Sequence, residues 1–299
     1  DRMIEKYYNG VIEQVAGGIG NVEHNSILVR YSNDFSIWDL ESVNHYKDQT
    51  DIFFTCHEFS YNKIAEAYEP YLGLIRQMFH KYCSGTLEEF MEECDVYKLQ
   101  RPVFESYFEK GFCERTEQIL IDEVEYEQER MHSSIVTMLQ KLSEICPIVI
   151  VLNRFQLASK STMQLTNRLL QTKNKNIGIV LGVNDVQSIP EFAHEEWDAI
   201  CESMDDRNMV YHIGNAGRNM EPDVMDYYSD YESDDGYRKL NNLVYFLDFD
   251  QADHHLSKIE RRIKFDNFTI SEKKHYQLLL LQIMVSVLQR DIAKALESC

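Results

Sequence analysis

A loop that cradles phosphate needs glycines, so that backbone amides can approach the oxygens, and a lysine for the β- and γ-charge. Between Asn21 and Leu72 the chain has no glycine at all. Other constellations fail on spacing. His254-His255 beside Asp253 are metal-ligating types, but adjacent histidines on a helix point in different directions, so a solvated face is expected. Asp230–Gly236 is acid-rich like a calcium loop, yet its glycine comes one place late and Asn241 stands at position twelve. His194-Glu195-Glu196 lacks the second histidine of a zincin, and no G-x-S-x-G occurs. Cys56, His57 and Glu58 could be drawn as a dyad with an acid, but neighbours at a strand end read as core and surface residues. Spacing alone therefore yields no catalytic residue and no metal site.

The elements that would position these residues are legible from periodicity. Met3, Ile4, Tyr7, Tyr8, Val11, Ile12 and Val15 form a helical stripe closed by Gly17-Gly18. Ile27–Tyr31 and Asp51–Thr55 are strand candidates. Residues 62–146 read as helical almost throughout, with Ile64, Tyr68, Tyr71, Leu72, Ile75 and Phe79 on one face and a long helix over Gln118–Ile145. After Pro147, Ile148–Leu152 is an unbroken apolar run, as is Ile177–Val183, and Met209–Ile213 is a further strand. Runs with no polar face predict strands buried inside a parallel sheet, with Ile148–Leu152 and Ile177–Val183 flanking Ile27–Tyr31 and helices on both faces. Glu221–Asp235 holds seven acids and reads as a linker or a solvated helix start. From Lys239 to Cys299 the pattern is helical.

Composition bounds the function. The 299 residues carry 50 acids against 30 bases, a formal net charge of −20. Such a surface repels phosphate backbones and anionic lipid, which argues against nucleic-acid and membrane partners. There are 12 glycines and 5 prolines, where average usage would give roughly 21 and about 15, so a helix-dominated globular protein is expected. Seven cysteines without a C-x-x-C pair read as free thiols of a reducing cytoplasm. No apolar run is long enough for a membrane span and no signal peptide opens the chain. It begins at Asp1 rather than methionine, from which it is expected to be part of a longer protein.

The order of these elements resembles a P-loop NTPase of the STAND branch of AAA+-like proteins over roughly residues 1–215. In that family the first strand runs into the Walker A loop. Here the matching stretch is Ser32-Asn33-Asp34-Phe35-Ser36-Ile37-Trp38-Asp39. The resemblance puts Trp38 at the phosphate-binding lysine and Asp39 at the magnesium-binding hydroxyl. Ala67-Tyr68-Glu69-Pro70-Tyr71-Leu72 and Leu74-Ile75-Arg76-Gln77 are similar to the family helix with a P-Y-x-P-F-type entry. Ile148–Ser159 resembles the Walker B strand and its exit. Gln156 and Ala158 match, but Asn153 and Arg154 stand where two acids position magnesium and water. Asn184 falls where a sensor residue is common. The resemblance thus implies a degenerate, non-hydrolysing nucleotide site at Ser32, Trp38, Asp39, Asn153, Arg154 and Asn184, with no cofactor.

Phe246–Ala252 and Arg290–Leu296 resemble the turn of tetratricopeptide repeats, with Ala252 and Ala295 at the close approach and Leu247 and Arg290 in place of the repeat glycine. The expected chain is α/β: a P-loop NTPase-like parallel sheet with a helical insert over 1–215, an acidic linker over 216–238 and a truncated repeat region over 239–299. The implied role is a non-hydrolysing sensor or scaffold within a larger cytoplasmic signalling or transcription-regulatory protein. Its repeats would bind protein partners, with self-association through the apolar face of Tyr276, Leu279, Leu280, Ile283, Met284 and Val287. The alternative is an active NTPase that binds ATP and magnesium through a non-standard site.

Overall fold

A computed structural model describes residues 2–32, 35–113, 124–184, 189–207, 209–213, 226–266, 269–289 and 296. In chain order the elements are α1 (Arg2–Gly18), β1 (Ser26–Tyr31), α2 (Glu41–Lys47), β2 (Phe53–Glu58), α3 (Tyr71–Tyr82), α4 (Leu87–Glu93), α5 (Arg101–Lys110), α6 (Val124–Ile145) and β3 (Ile148–Asn153). They continue with α7 (Lys160–Gln171), β4 (Ile177–Asn184), α8 (His194–Asp206), β5 (Val210–Ile213), α9 (Tyr228–Glu232), α10 (Gly236–Tyr245), α11 (Phe249–Asp266) and α12 (Glu272–Leu288). The five strands form one parallel sheet in the order β2-β3-β4-β1-β5.

Every residue of β3 and β4 is buried, as expected for strands with no polar face to give to solvent. Alternate side chains divide between two cores. Ile27, Val29, Val149, Val151 and Val180 face α1 and α2. Leu28, Ile148, Ile150, Leu152, Ile179 and Leu181 face the layer containing α3, α6, α7 and α8. The α/β class is as read from the sequence, but the flanking is corrected: β1 pairs with β4 and β5, and β3 lies one strand further out beyond β4. The short Met209–Ile213 run takes the place given to Ile148–Leu152, because apolar runs mark burial and carry no pairing information.

The helix expected across Ile64 and Tyr68 is also corrected. Residues 61–70 form two turns joined by an irregular stretch, and α3 begins only at Tyr71, after Pro70. Three distant side chains take the amides a helix would have used. Asp230 accepts from Ile64 N, His255 Nε2 from Ala65 N, and Ser161 Oγ from Tyr68 N. Tertiary partners here outcompete local periodicity. Of the long helix expected from Gln118, residues 118–123 lie outside the described residues.

Within the stretch read as acidic linker, residues 216–225 also lie outside the described residues. From 226 on the chain is packed: Tyr228, Asp230 and Tyr231 in α9 are buried. Helices α10, α11 and α12 pack on one another, and their buried residues, among them Leu243, Ile259 and Leu281, join the core under the sheet. At the α10–α11 turn Leu247 takes φ +67° while 1% exposed. This is a left-handed position at the place where the repeat resemblance expects glycine. On α12, Tyr276, Leu280 and Val287 are exposed, and Leu279, Ile283 and Met284 are half-buried. The repeat-like stretch 290–295, with Ala295, lies outside the described residues. Among the described residues no helix is long and apolar enough to cross a membrane.

Candidate functional site

In an open parallel sheet, ligands bind outside the carboxyl ends of the strands, where neighbouring connections diverge. Here that place lies between β1 and β4. The chain leaves β1 through α2 toward β2 at one edge, and leaves β4 through α8 toward β5 at the other, over opposite faces. Four of the six positions singled out from the sequence meet at this end. Tyr31, followed by Ser32, is in register with Asn184, and Asn153 is in register with Glu58. Arg154 follows β3 in a left-handed conformation, φ +55°. Trp38 and Asp39 stand apart, exposed on a single 3-10 turn at Ile37–Asp39.

The chemistry at this edge is that of mutual saturation. Asn153 is fully buried. Its Oδ1 accepts from the Tyr31 hydroxyl at 2.7 Å and from the Tyr8 hydroxyl at 3.4 Å, while its Nδ2 donates to Glu58 Oε2 at 3.0 Å. The same Glu58 oxygen accepts from Ile37 N at 3.4 Å, tying down the segment after β1. Phe35 packs against Tyr31 and Tyr8 with ring centroids 5.0 and 5.4 Å away. Gln156 Oε1 accepts from Asn184 N. Burial drives the phenols of Tyr8 and Tyr31 well above their usual range, so both stay protonated as donors. Burial, reinforced by the Glu58 charge, lifts the Cys56 thiol to about 12, which leaves it an inert thiol. Gly182 is required here, because a Cβ on it would collide with Tyr8 Oη and Asn153 Oδ1.

Tyr8, Phe35 and Glu58 were not read from the sequence as site residues. Glu58 had a signal, an acid at the end of a strand; Tyr8 and Phe35 looked like core. Beyond Glu58 a cleft of about 250 Å³ opens between β2 and the loop before α3, lined by His57, Lys63, Glu66, Glu69 and Lys239. His57 Nε2 lies 3.0 Å from Glu69 Oε1, and Arg238 Nη1 lies 3.1 Å from Glu66 Oε1. Burial and then Glu69 raise the Glu66 carboxyl, with Arg238 opposing. Among the described residues no group of three or more His, Cys, Asp or Glu could hold a metal ion.

The same edge is joined to the C-terminal helices by buried polar groups. Asp248 Oδ2 accepts from Ser161 N at 2.8 Å, and its Oδ1 accepts from Gln251 N at 3.3 Å, so one carboxylate serves the first turns of α7 and α11. Lys160 Nζ reaches Asp250 at 2.6 Å, and Lys160 N donates to Gln251 Oε1. Asp230 holds Lys239 at 3.0 Å as well as Ile64 N at 2.7 Å. His255, expected on a solvated face, is fully buried, and desolvation lowers its pKa well below the usual histidine range. It is a neutral acceptor for Ala65 N in this joint. No family model, no curated protein and no solved structure matches the chain.

Proposed function

We propose that the chain is a non-hydrolysing sensor or scaffold segment of a larger cytoplasmic signalling or transcription-regulatory protein. Its sheet resembles a degenerate STAND-type P-loop domain, and its C-terminal helices serve as the surface for protein partners or self-association. One observation carries the reading: the polar side chains at the β1–β3–β4 ends bond one another. The Asn153 amide takes two tyrosine hydroxyls and Glu58. An amide cannot act as the base that activates water, and rings of Tyr8, Tyr31 and Phe35 pack where β1 exits. A short path leads from there to the helices. From Asn153 the chain passes through Gln156 to Ser161, which Asp248 grips at the start of α11. A displacement at the strand ends would thereby be felt at α10–α12, which is what a switch of this kind requires.

A second reading, an NTPase with a non-standard phosphate site, is favoured by a carboxylate at the right edge. Glu58 ends the strand beside β3, with Arg154 following β3. Thermal unfolding with and without millimolar ATP and magnesium separates the two. A ligand of micromolar affinity at millimolar concentration adds about 4 kcal/mol through RT ln(1 + [L]/Kd). No shift in Tm is expected. A shift of several degrees, with phosphate release abolished in Glu58→Gln, establishes the second reading instead.

A further inference from the structure

On the outer face of the helical layer, a groove of about 560 Å³ runs between the segment joining α4 to α5 and the side of α6. Its size falls within the roughly 300–1,000 Å³ usual for small-molecule pockets, and it shares no residue with the carboxyl edge of the sheet. Its polar lining is mainly cations and hydroxyls: Lys98, Arg101, Arg130, Ser133 and Thr137. This is anomalous in a chain with a net charge of −20, where acids to neutralise three cations are abundant.

The three cations are held without being neutralised. Arg130 lies over the ring of Tyr97, its guanidinium carbon 4.1 Å from the centroid, and Arg101 is anchored by its Nε donating to Val96 O at 3.0 Å. Neither these nor Lys98 makes an ion pair among the described residues. Of the two carboxylates lining the groove, Glu129 pairs with Arg168, whose Nη1 also donates to Ser133 Oγ at 3.2 Å. Asp95 alone is left against three positive charges. Because Ser133 Oγ accepts from Arg168, its own proton is available to a ligand. The Thr137 hydroxyl is turned onto Ser133 O and keeps only lone pairs.

We propose that this groove binds a phosphate-bearing ligand, with Arg130, Arg101 and Lys98 supplying charge-assisted donors and Ser133 a hydroxyl donor. Guanidinium forks match phosphate oxygens in pairs, and pre-orientation of Arg130 on Tyr97 and of Arg101 on Val96 O lowers the entropy lost on binding. Arg130 is exposed, so a planar group esterified to the phosphate could stack on its outer face.

Calorimetric titration of the folded chain at constant ionic strength, with inorganic phosphate and with phenyl phosphate, tests this. Saturable binding is expected for both probes. Arg130→Gln and Arg101→Gln should each weaken it about tenfold or more, the scale of one charge-assisted hydrogen bond. Arg130→Lys should fall between, having kept the charge and lost the fork, while Lys47→Gln, outside the groove, should match the wild type. Tighter binding of phenyl phosphate identifies an aromatic phosphate ester as the ligand class, and equal binding identifies the phosphate group alone. Each of those two results upholds the proposal. Absence of saturable binding by either probe overturns it, as does wild-type affinity in both glutamine variants with unchanged Tm.

Discussion

Two buried polar clusters sit at the same end of the molecule and are built on opposite plans. Around Asn153, one amide, two phenols and one carboxylate close on each other inside the sheet. Around Asp248, two carboxylates, Asp248 and Asp250, together with Lys160 and Gln251, bridge the start of α7 to the C-terminal helices. Three of the four groups around Asn153 are uncharged at neutral pH, and the cluster owes its order to shape and to complete hydrogen bonding. The Asp248 cluster carries buried charge, and burial lifts the Asp248 carboxyl to about 6 against the bonds from Ser161 and Gln251. A mostly uncharged, saturated cluster rigidifies; one built on charged groups answers to pH and salt. If the chain switches, the second cluster is the element built to respond.

The largest effect should come from breaking the first cluster sterically. Gly182→Val drives side-chain atoms into Tyr8 Oη and Asn153 Oδ1 and should cost about 3 kcal/mol, the upper range for overpacking a dense core. Urea unfolding measures it, with Gly73→Ala as the comparison: Gly73 lies within α3 and a Cβ there meets nothing within 4 Å, so this change should lose no stability and gain about 0.5–1 kcal/mol. A loss under about 0.5 kcal/mol, the range of ordinary surface changes, would mean the Asn153 cluster is loosely packed and no more rigid than the Asp248 cluster.

Next is the pH response of the second cluster. The folded carboxyl of Asp248 lies near 6, above its ordinary value of 3.8, so its ionisation opposes folding. Below pH 3.8 the group costs nothing; as pH rises from 3.8 through 6 stability falls, and above 6 the loss is complete at about 3 kcal/mol. Asp248→Asn keeps an acceptor for Ser161 N and should remove this fall, flattening stability between pH 4 and 6.5 relative to wild type. Parallel wild-type and variant curves would show that Asp248 does not titrate in that window.

The smallest effect belongs to the half-exposed ion pair. Lys160→Met deletes the contact with Asp250 and should cost about 0.5–1 kcal/mol at low salt. The difference from wild type should shrink toward zero in 0.5 M sodium chloride. Persistence of the full difference at high salt would assign the Lys160 contribution to packing of its stem rather than to charge.

Much of this architecture was already readable along the chain. Ile148–Leu152 and Ile177–Val183, apolar on both faces, fixed their own burial in a parallel sheet, since no arrangement lets such strands face water. The stripe over residues 3–15 likewise marked α1, and Asn153, the first polar residue after Ile148–Leu152, marked the end of that strand. Three things were decided only in three dimensions. The order of strands was one, because burial patterns carry no pairing information. The partners of Asn153 were another. They come from 145, 122 and 95 residues away at Tyr8, Tyr31 and Glu58, and no local period links them. The loop over 61–70 was the third: its side chains keep helical spacing, but Asp230, His255 and Ser161 claim its amides. Periodicity states which side chains must leave water. Which backbone groups find which partners depends on where the whole chain has already gone.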